Sequence, residues 1–288
     1  MKHKLLSDTL EVHVNFLGAE IESVKNKSGL EFIWQANKEV WPRHAPVLFP
    51  IVGKLKDNSF TYNSRVYELG QHGFARDYAF ELIAGDHRYC TFQLRPDIKS
   101  KKNYPFDFIF QITHSLNGNK LVTTYTILNP FTEVLFFSVG AHPGFNCPLL
   151  PTESFENYYL EFESSSLQLS ELNNGLRTPN RKELGLNKNR LYLSETLFDK
   201  DALVFENSQI NKICLRSEKS SHKISLECIN WPYFGIWSKK GCREFICLEP
   251  WQGIADRETA SGDLARKDGI IQLQPKKEFT CSFSISFA

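Results

Sequence analysis

Chemistry in this chain has to come from polar side chains that interrupt apolar runs, and four stretches hold them. In "VGAHPGFNCP", His142 follows Leu135-Phe136-Phe137 and precedes a Pro-Gly pair, so an imidazole is delivered where a buried strand runs out into a turn. In "CLEPWQGIAD", Glu249 shares the parity of Phe245 and Cys247 and precedes Trp251; a carboxylate facing the apolar side is expensive unless it is paired or used. "WPRHAPVLFPIVGKL" carries Arg43 on a segment that Pro46 and Pro50 keep extended and out of an ordinary ladder, and "GQHGFARD" carries His72 beside a glycine that lets a ligand approach the backbone. Together these offer a His/Glu acid–base couple, a planar cationic donor and an aromatic face, the mixture that a hydroxyl-rich ring requires. The residues alone also allow a solvated Arg43, a structural His72 in its glycine turn, and a Glu249 that is paired with an arginine in the core or sits in water beyond the strand end.

The elements that must position these groups are strands. Leu10, Val12, Val14 and Phe16 alternate with Glu11, His13 and Asn15, and the C-terminal "FTCSFSISFA" sets Phe279, Cys281, Phe283, Ile285 and Phe287 against Thr280 and serines. Similar runs occur at "YAFELIA", "YCTFQLRP", "DFIFQITHSL", "KLVTTYTIL", "VLFFSVGA", "YYLEFE", "KISLECI" and "EFICLEP", separated by turn pairs such as Asn117-Gly118, Asn129-Pro130 and Asn174-Gly175. Helical periodicity is nearly absent, which disfavours parallel α/β folds because nothing supplies their crossover helices. No Pro-, Gly- or Ser-rich linker divides the chain, so residues 1–288 read as a single all-β domain of stacked antiparallel sheets, with 170–200 as an irregular surface excursion.

Composition sets the outer limits. Apolar residues make up 41% of the 288, aromatics 13%, and Phe occurs 23 times, which is ample for a packed core. A formal charge of +1 provides no broad basic surface, so nucleic acid and anionic membranes are not expected partners. The N-terminus lacks the apolar core and cleavage site of a secretory leader, and a cytoplasmic location is expected. The 7 cysteines include no C-x-x-C pair, which argues against a disulfide framework or structural zinc; most read as small core hydrophobes.

In their order and intervals, "LGAEIESVKNKSGLEFIW" (17–34), "APVLFPIVGKL", "HGFARD", "YPFDFIF", "GAHPGFNCP" and "LEPWQGIAD" resemble the aldose 1-epimerase (galactose mutarotase) family, in its LacX-like bacterial branch. The resemblance implies a large twisted β-sandwich, the galactose mutarotase-like supersandwich, with an open sugar cleft, no metal and no cofactor. It casts His142 as the general acid that protonates the ring oxygen and Glu249 as the base that takes the anomeric hydroxyl proton, with Arg43 keeping Glu249 ionised. Arg43, His72 and Asp201 (Asp199 as the alternative) would hold the sugar, a free or phosphorylated aldose, in a monomer or homodimer. Lys54 and Arg76 are expected as rim charges; if they faced the cleft they would favour a phosphate. Two other readings remain: a non-catalytic carbohydrate-binding protein using the same cleft, and a glycosidase pairing Glu249 with Asp256 or Asp201.

Overall fold

A computed structural model describes residues 1–288, and the alternating runs all fall within or beside its strands. Ile109–Asn117 and Lys120–Leu128 form a hairpin in which Lys120 faces Asn117, and every second residue of each strand is buried. The last strand, Glu278–Phe287, lies antiparallel to Lys120–Leu128, with Cys281 opposite Tyr125. These three form the middle of a nine-stranded antiparallel sheet running from Arg190–Tyr192 at one edge to Glu81–Gly85 at the other.

A second, eight-stranded sheet carries Glu249 and holds His142 on a turn between two of its short strands. Its order is Leu176–Leu184, Leu167–Asn173, Leu203–Glu206, Tyr233–Trp237, Phe245–Trp251, Gly140–Ala141 and Val47–Leu48, with Gly144–Asn146 also paired to Phe245–Trp251. One cluster of 62 buried residues draws on both sheets, including Phe110 and Ile112 from the first and Phe234 and Leu248 from the second. All named pairings are antiparallel, so the class is all-β, as the alternation requires. The single α-helix, Ile98–Asn103, is one short turn fixed by a capping box between Asp97 and Ser100. No helix is long and apolar enough to cross a membrane.

The irregular excursion expected over 170–200 is mostly strand. Leu167–Asn173 and Leu176–Leu184 form a long hairpin around Asn174-Gly175, where both turn residues have positive φ, followed by the short strand Arg190–Tyr192. The outer strand is an edge with mostly exposed side chains, and it contains Pro179. An edge strand wetted on both faces has no reason to alternate, which is why its period is invisible in the sequence.

Candidate active site

The strand Phe245–Trp251 is flanked on both sides, and all seven of its residues are buried. Its parity carries Cys247, Glu249 and Trp251 to one face, and that face opens into a cavity of about 400 Å³. The indole of Trp251 has room there because both neighbouring strands carry glycine beneath it. A Cβ at Gly235 would lie 2.4 Å from the ring, and one at Gly140 2.8 Å from it. Gly235→Ala therefore must push Trp251 out of place, and we expect a roughly tenfold weaker sugar affinity with stability lower by about 1–3 kcal/mol. Titration of intrinsic fluorescence with sugar, alongside thermal melts, measures both; unchanged affinity would remove Trp251 from the binding surface.

His142 reaches the same point from the turn after Gly140–Ala141. Its ring stacks on Trp41 (centroids 5.0 Å apart) and meets Trp237 and His72 edge-on. Its Nε2 lies 3.2 Å from Oε2 of Glu249. His142 is 8% exposed and Glu249 1%, yet His142 Nδ1 and both Glu249 oxygens have no hydrogen-bond partner. Buried polar atoms left unmatched beside a cavity wait for a ligand's donors and acceptors.

Burial decides the charge state. It pushes the Glu249 carboxyl well above the usual carboxylate range, an effect to which the negative Asp201 adds and which the Trp251 indole N–H opposes. It also pulls the His142 imidazole down to about 3, with Arg76 and Arg43 adding to the shift. The two side chains therefore stand as a neutral couple holding one proton between them, rather than as an ion pair. The expectation that Arg43 keeps Glu249 ionised fails: its guanidinium is paired with Asp77 at 2.9 Å, and no positive group offsets the burial of Glu249.

The other anticipated residues take distinct places around this cavity. His72 has φ +67°, and its Nδ1 accepts the Gly53 N–H at 3.1 Å, which assigns the ring proton to Nε2. Burial and His142 keep its pKa well below the ordinary value, so His72 is a neutral donor. The following Gly73 is obligatory at φ +69°, because a Cβ there would sit 2.3 Å from the Phe49 carbonyl oxygen. Arg43 and Asp201 both line the cavity. Asp201 is held at φ +136°, with its own carboxylate accepting the Ala202 N–H. That backbone is strained for any residue but glycine. Asp199 instead faces Lys240 at 3.8 Å and does not line the cavity. Asp256, the other carboxylate considered for a glycosidase pair, is bound to Lys267 at 2.9 Å and to the Lys56 N–H, behind the wall.

Arg76 is not the rim charge expected of it. It lines the cavity, its Nη2 donates to the Gln71 carbonyl, and its buried Nε has no hydrogen bond, with Asp77 3.9 Å away. Burial and the neighbouring Arg43 lower its pKa to about 10, which leaves it charged at neutral pH. Lys54 does sit at the rim, where its ammonium donates to the Asn174 carbonyl. Sequence reasoning missed Trp41 and Trp237 as walls of the site, because at their positions an aromatic residue is indistinguishable from core. The one usable signal for Trp41 was its place two residues before Arg43 on a proline-stiffened segment.

The fold and the cavity together define a galactose mutarotase-like β-sandwich with a polar cleft on its second sheet. The sequence pattern of the aldose 1-epimerase family matches residues 2–271, and the chain belongs to that family. It is 33% identical to the chromosomal LacX protein of Lactococcus lactis, with 99% of each chain covered. Among solved structures it is similar to a galactose mutarotase related enzyme from Lactobacillus acidophilus (39% identity, TM-score 0.96, covering 100% of this chain and 97% of that one). It also resembles a galactose mutarotase-like protein from Lactobacillus casei (30% identity, TM-score 0.93, 100% of both chains).

Proposed function

We propose that this protein is an aldose 1-epimerase that interconverts the α and β anomers of an aldose, with His142 and Glu249 as the acid–base couple. The observation that carries the reading is the 3.2 Å approach of His142 Nε2 to Glu249 Oε2, with His142 Nδ1 and both Glu249 oxygens unmatched, on the floor of an open cleft. Ring opening needs one proton delivered to the ring oxygen and one removed from the anomeric hydroxyl, and a couple sharing one proton is sufficient for that. When a sugar docks, its hydroxyls replace the missing hydrogen bonds of Glu249, and one proton passes from Glu249 to His142. The carboxylate then takes the O1 proton while the imidazolium protonates O5. Rotation about C1–C2 and reclosure reverse the roles of the two groups.

The sugar would lie against Trp251, with His72, Arg43 and Asp201 on its hydroxyls. Arg43 and Arg76 both line the cleft, where they meet the half-exposed Asp77 at 2.9 and 3.9 Å. Two guanidiniums side by side favour an aldose bearing an anionic group, such as a sugar 6-phosphate, over its neutral counterpart. Anomer exchange followed by NMR or polarimetry across free aldoses and their 6-phosphates tests the whole reading. We expect kcat/KM at least about tenfold higher for the phosphates. A rate equal to the spontaneous one for every sugar would instead indicate a non-catalytic binding protein. Arg43→Ala should raise KM about tenfold while kcat stays within about threefold, since this side chain binds ground and transition states alike. An unchanged KM would place Arg43 outside the binding surface.

A further inference from the structure

Cys247 takes no part in the proton transfer, yet its thiol stands beside the couple. It lies two residues before Glu249 on the same strand, which places both side chains on one face. One ligand atom each from His142, Cys247 and Glu249 lies within 4.8 Å of the other two. All three residues are buried, and the Glu249 oxygens and His142 Nδ1 have no hydrogen-bond partner. An imidazole nitrogen, a sulfur and a carboxylate oxygen are the donors that zinc-like ions prefer. Bonds of about 2.0–2.3 Å in a tetrahedron set ligand atoms roughly 3.3–3.8 Å apart. The cluster needs to close by at most about 1–1.5 Å to reach that geometry, and two of its three members, His142 and Glu249, line the cleft.

We propose that His142, Cys247 and Glu249 form a binding site for one borderline or soft divalent cation, such as Zn²⁺, which occupies the cleft floor in competition with the sugar. On binding, the ion displaces the thiol proton and the carboxyl proton to solvent. Two positive charges then meet one thiolate and one carboxylate, leaving a buried site without net charge. Mg²⁺ and Ca²⁺ are excluded, because they require several oxygen ligands in place of sulfur and nitrogen. Inhibition of anomer exchange by the ion rests on the epimerase reading above, since the metal takes the lone pairs that move the protons. Metal binding itself does not depend on that reading.

Titration of the reduced full-length protein with Co²⁺, read by absorption, separates the two claims. A tetrahedral thiolate site gives intense visible bands and a sulfur-to-cobalt charge-transfer band. We expect these to saturate near one equivalent, to disappear on adding Zn²⁺, and to be absent from Cys247→Ala. Zn²⁺ should also lower the rate of anomer exchange at least about tenfold, reversibly with a chelator, while the Cys247→Ala rate changes less than about twofold. Cys247→Ser provides a second variant if the alanine protein melts early. Absence of the bands in the wild type, or bands that persist in both Cys247 variants, overturns the site. Bands without inhibition would keep the site and count against the catalytic assignment.

Discussion

Glu249→Gln should lower catalysed anomer exchange by about 10²–10⁴, to near the spontaneous rate, while sugar affinity stays within about tenfold. The amide preserves the shape of the side chain and its contact with His142 but cannot take a proton from O1. Polarimetry on freshly dissolved α-anomer measures the rate, and retention of full activity would remove Glu249 from the mechanism. The same substitution has an opposite effect on stability. Because burial raises the Glu249 pKa above its unfolded value, the folded state holds that proton more tightly. The associated stability is complete below the unfolded pKa of about 4.5 and is lost as pH rises towards the raised folded value. Glu249→Gln abolishes this loss. Its melting temperature should therefore match wild type near pH 4.5 and exceed it at pH 8. A variant less stable than wild type at pH 8 would contradict the unmatched, buried carboxyl described here.

His142→Asn should produce the second large loss, about 10²–10³ in rate, because under the epimerase reading the ring oxygen then has no proton donor. Two groups that share one proton act as a unit, so the double variant with Glu249→Gln should be little slower than either single variant. Full additivity of the two losses would mean that they act in separate steps. The couple also shapes the pH dependence of the wild type. An isolated histidine acid would lose activity as pH rises through about 6.5. Here burial holds His142 down to about 3 and Glu249 well above its ordinary value, so the single proton stays in the pair across the whole interval. The kcat/KM of the protein for an uncharged aldose should therefore show no limb near pH 6.5. A limb between pH 6 and 7 would show instead that His142 titrates as a solvated imidazole.

Much of this arrangement was written in local pattern, and the remainder needed three dimensions. Alternation located the paired strands because most of them bury one face, and the parity of Cys247, Glu249 and Trp251 pointed all three towards one side of their strand. The break in pattern at His142 was visible because an imidazole after three consecutive apolar residues has no local partner. The sequence did not disclose that Arg43 would turn to Asp77, 34 positions later, or that Arg76 would point inward. Those outcomes depend on how three distant segments converge, and charge at a given position looks the same on either side of a wall. The ionisation of the couple was hidden for the same reason, since it follows from enclosure by Trp41, Trp237 and His72 rather than from any neighbour in the chain. The outer hairpin strand was lost because exposure on both faces erases the period of two.

That hairpin has a consequence for how specificity can diverge among such proteins. Its residues Leu172 and Gly175 form part of the cleft wall, yet beyond Arg177, which is tied to Asp256 and Glu258, its outer strand Leu176–Leu184 has no strand on its far side. Glu249 stands on an inner strand of the same sheet, clamped by partners on both flanks, and His142 on a turn beside it. Insertions, deletions or reshaping at the hairpin tip would redraw the outline of the acceptable sugar without disturbing the reacting atoms. Substrate choice and bond chemistry are thus mechanically uncoupled, and one can drift while the other is preserved.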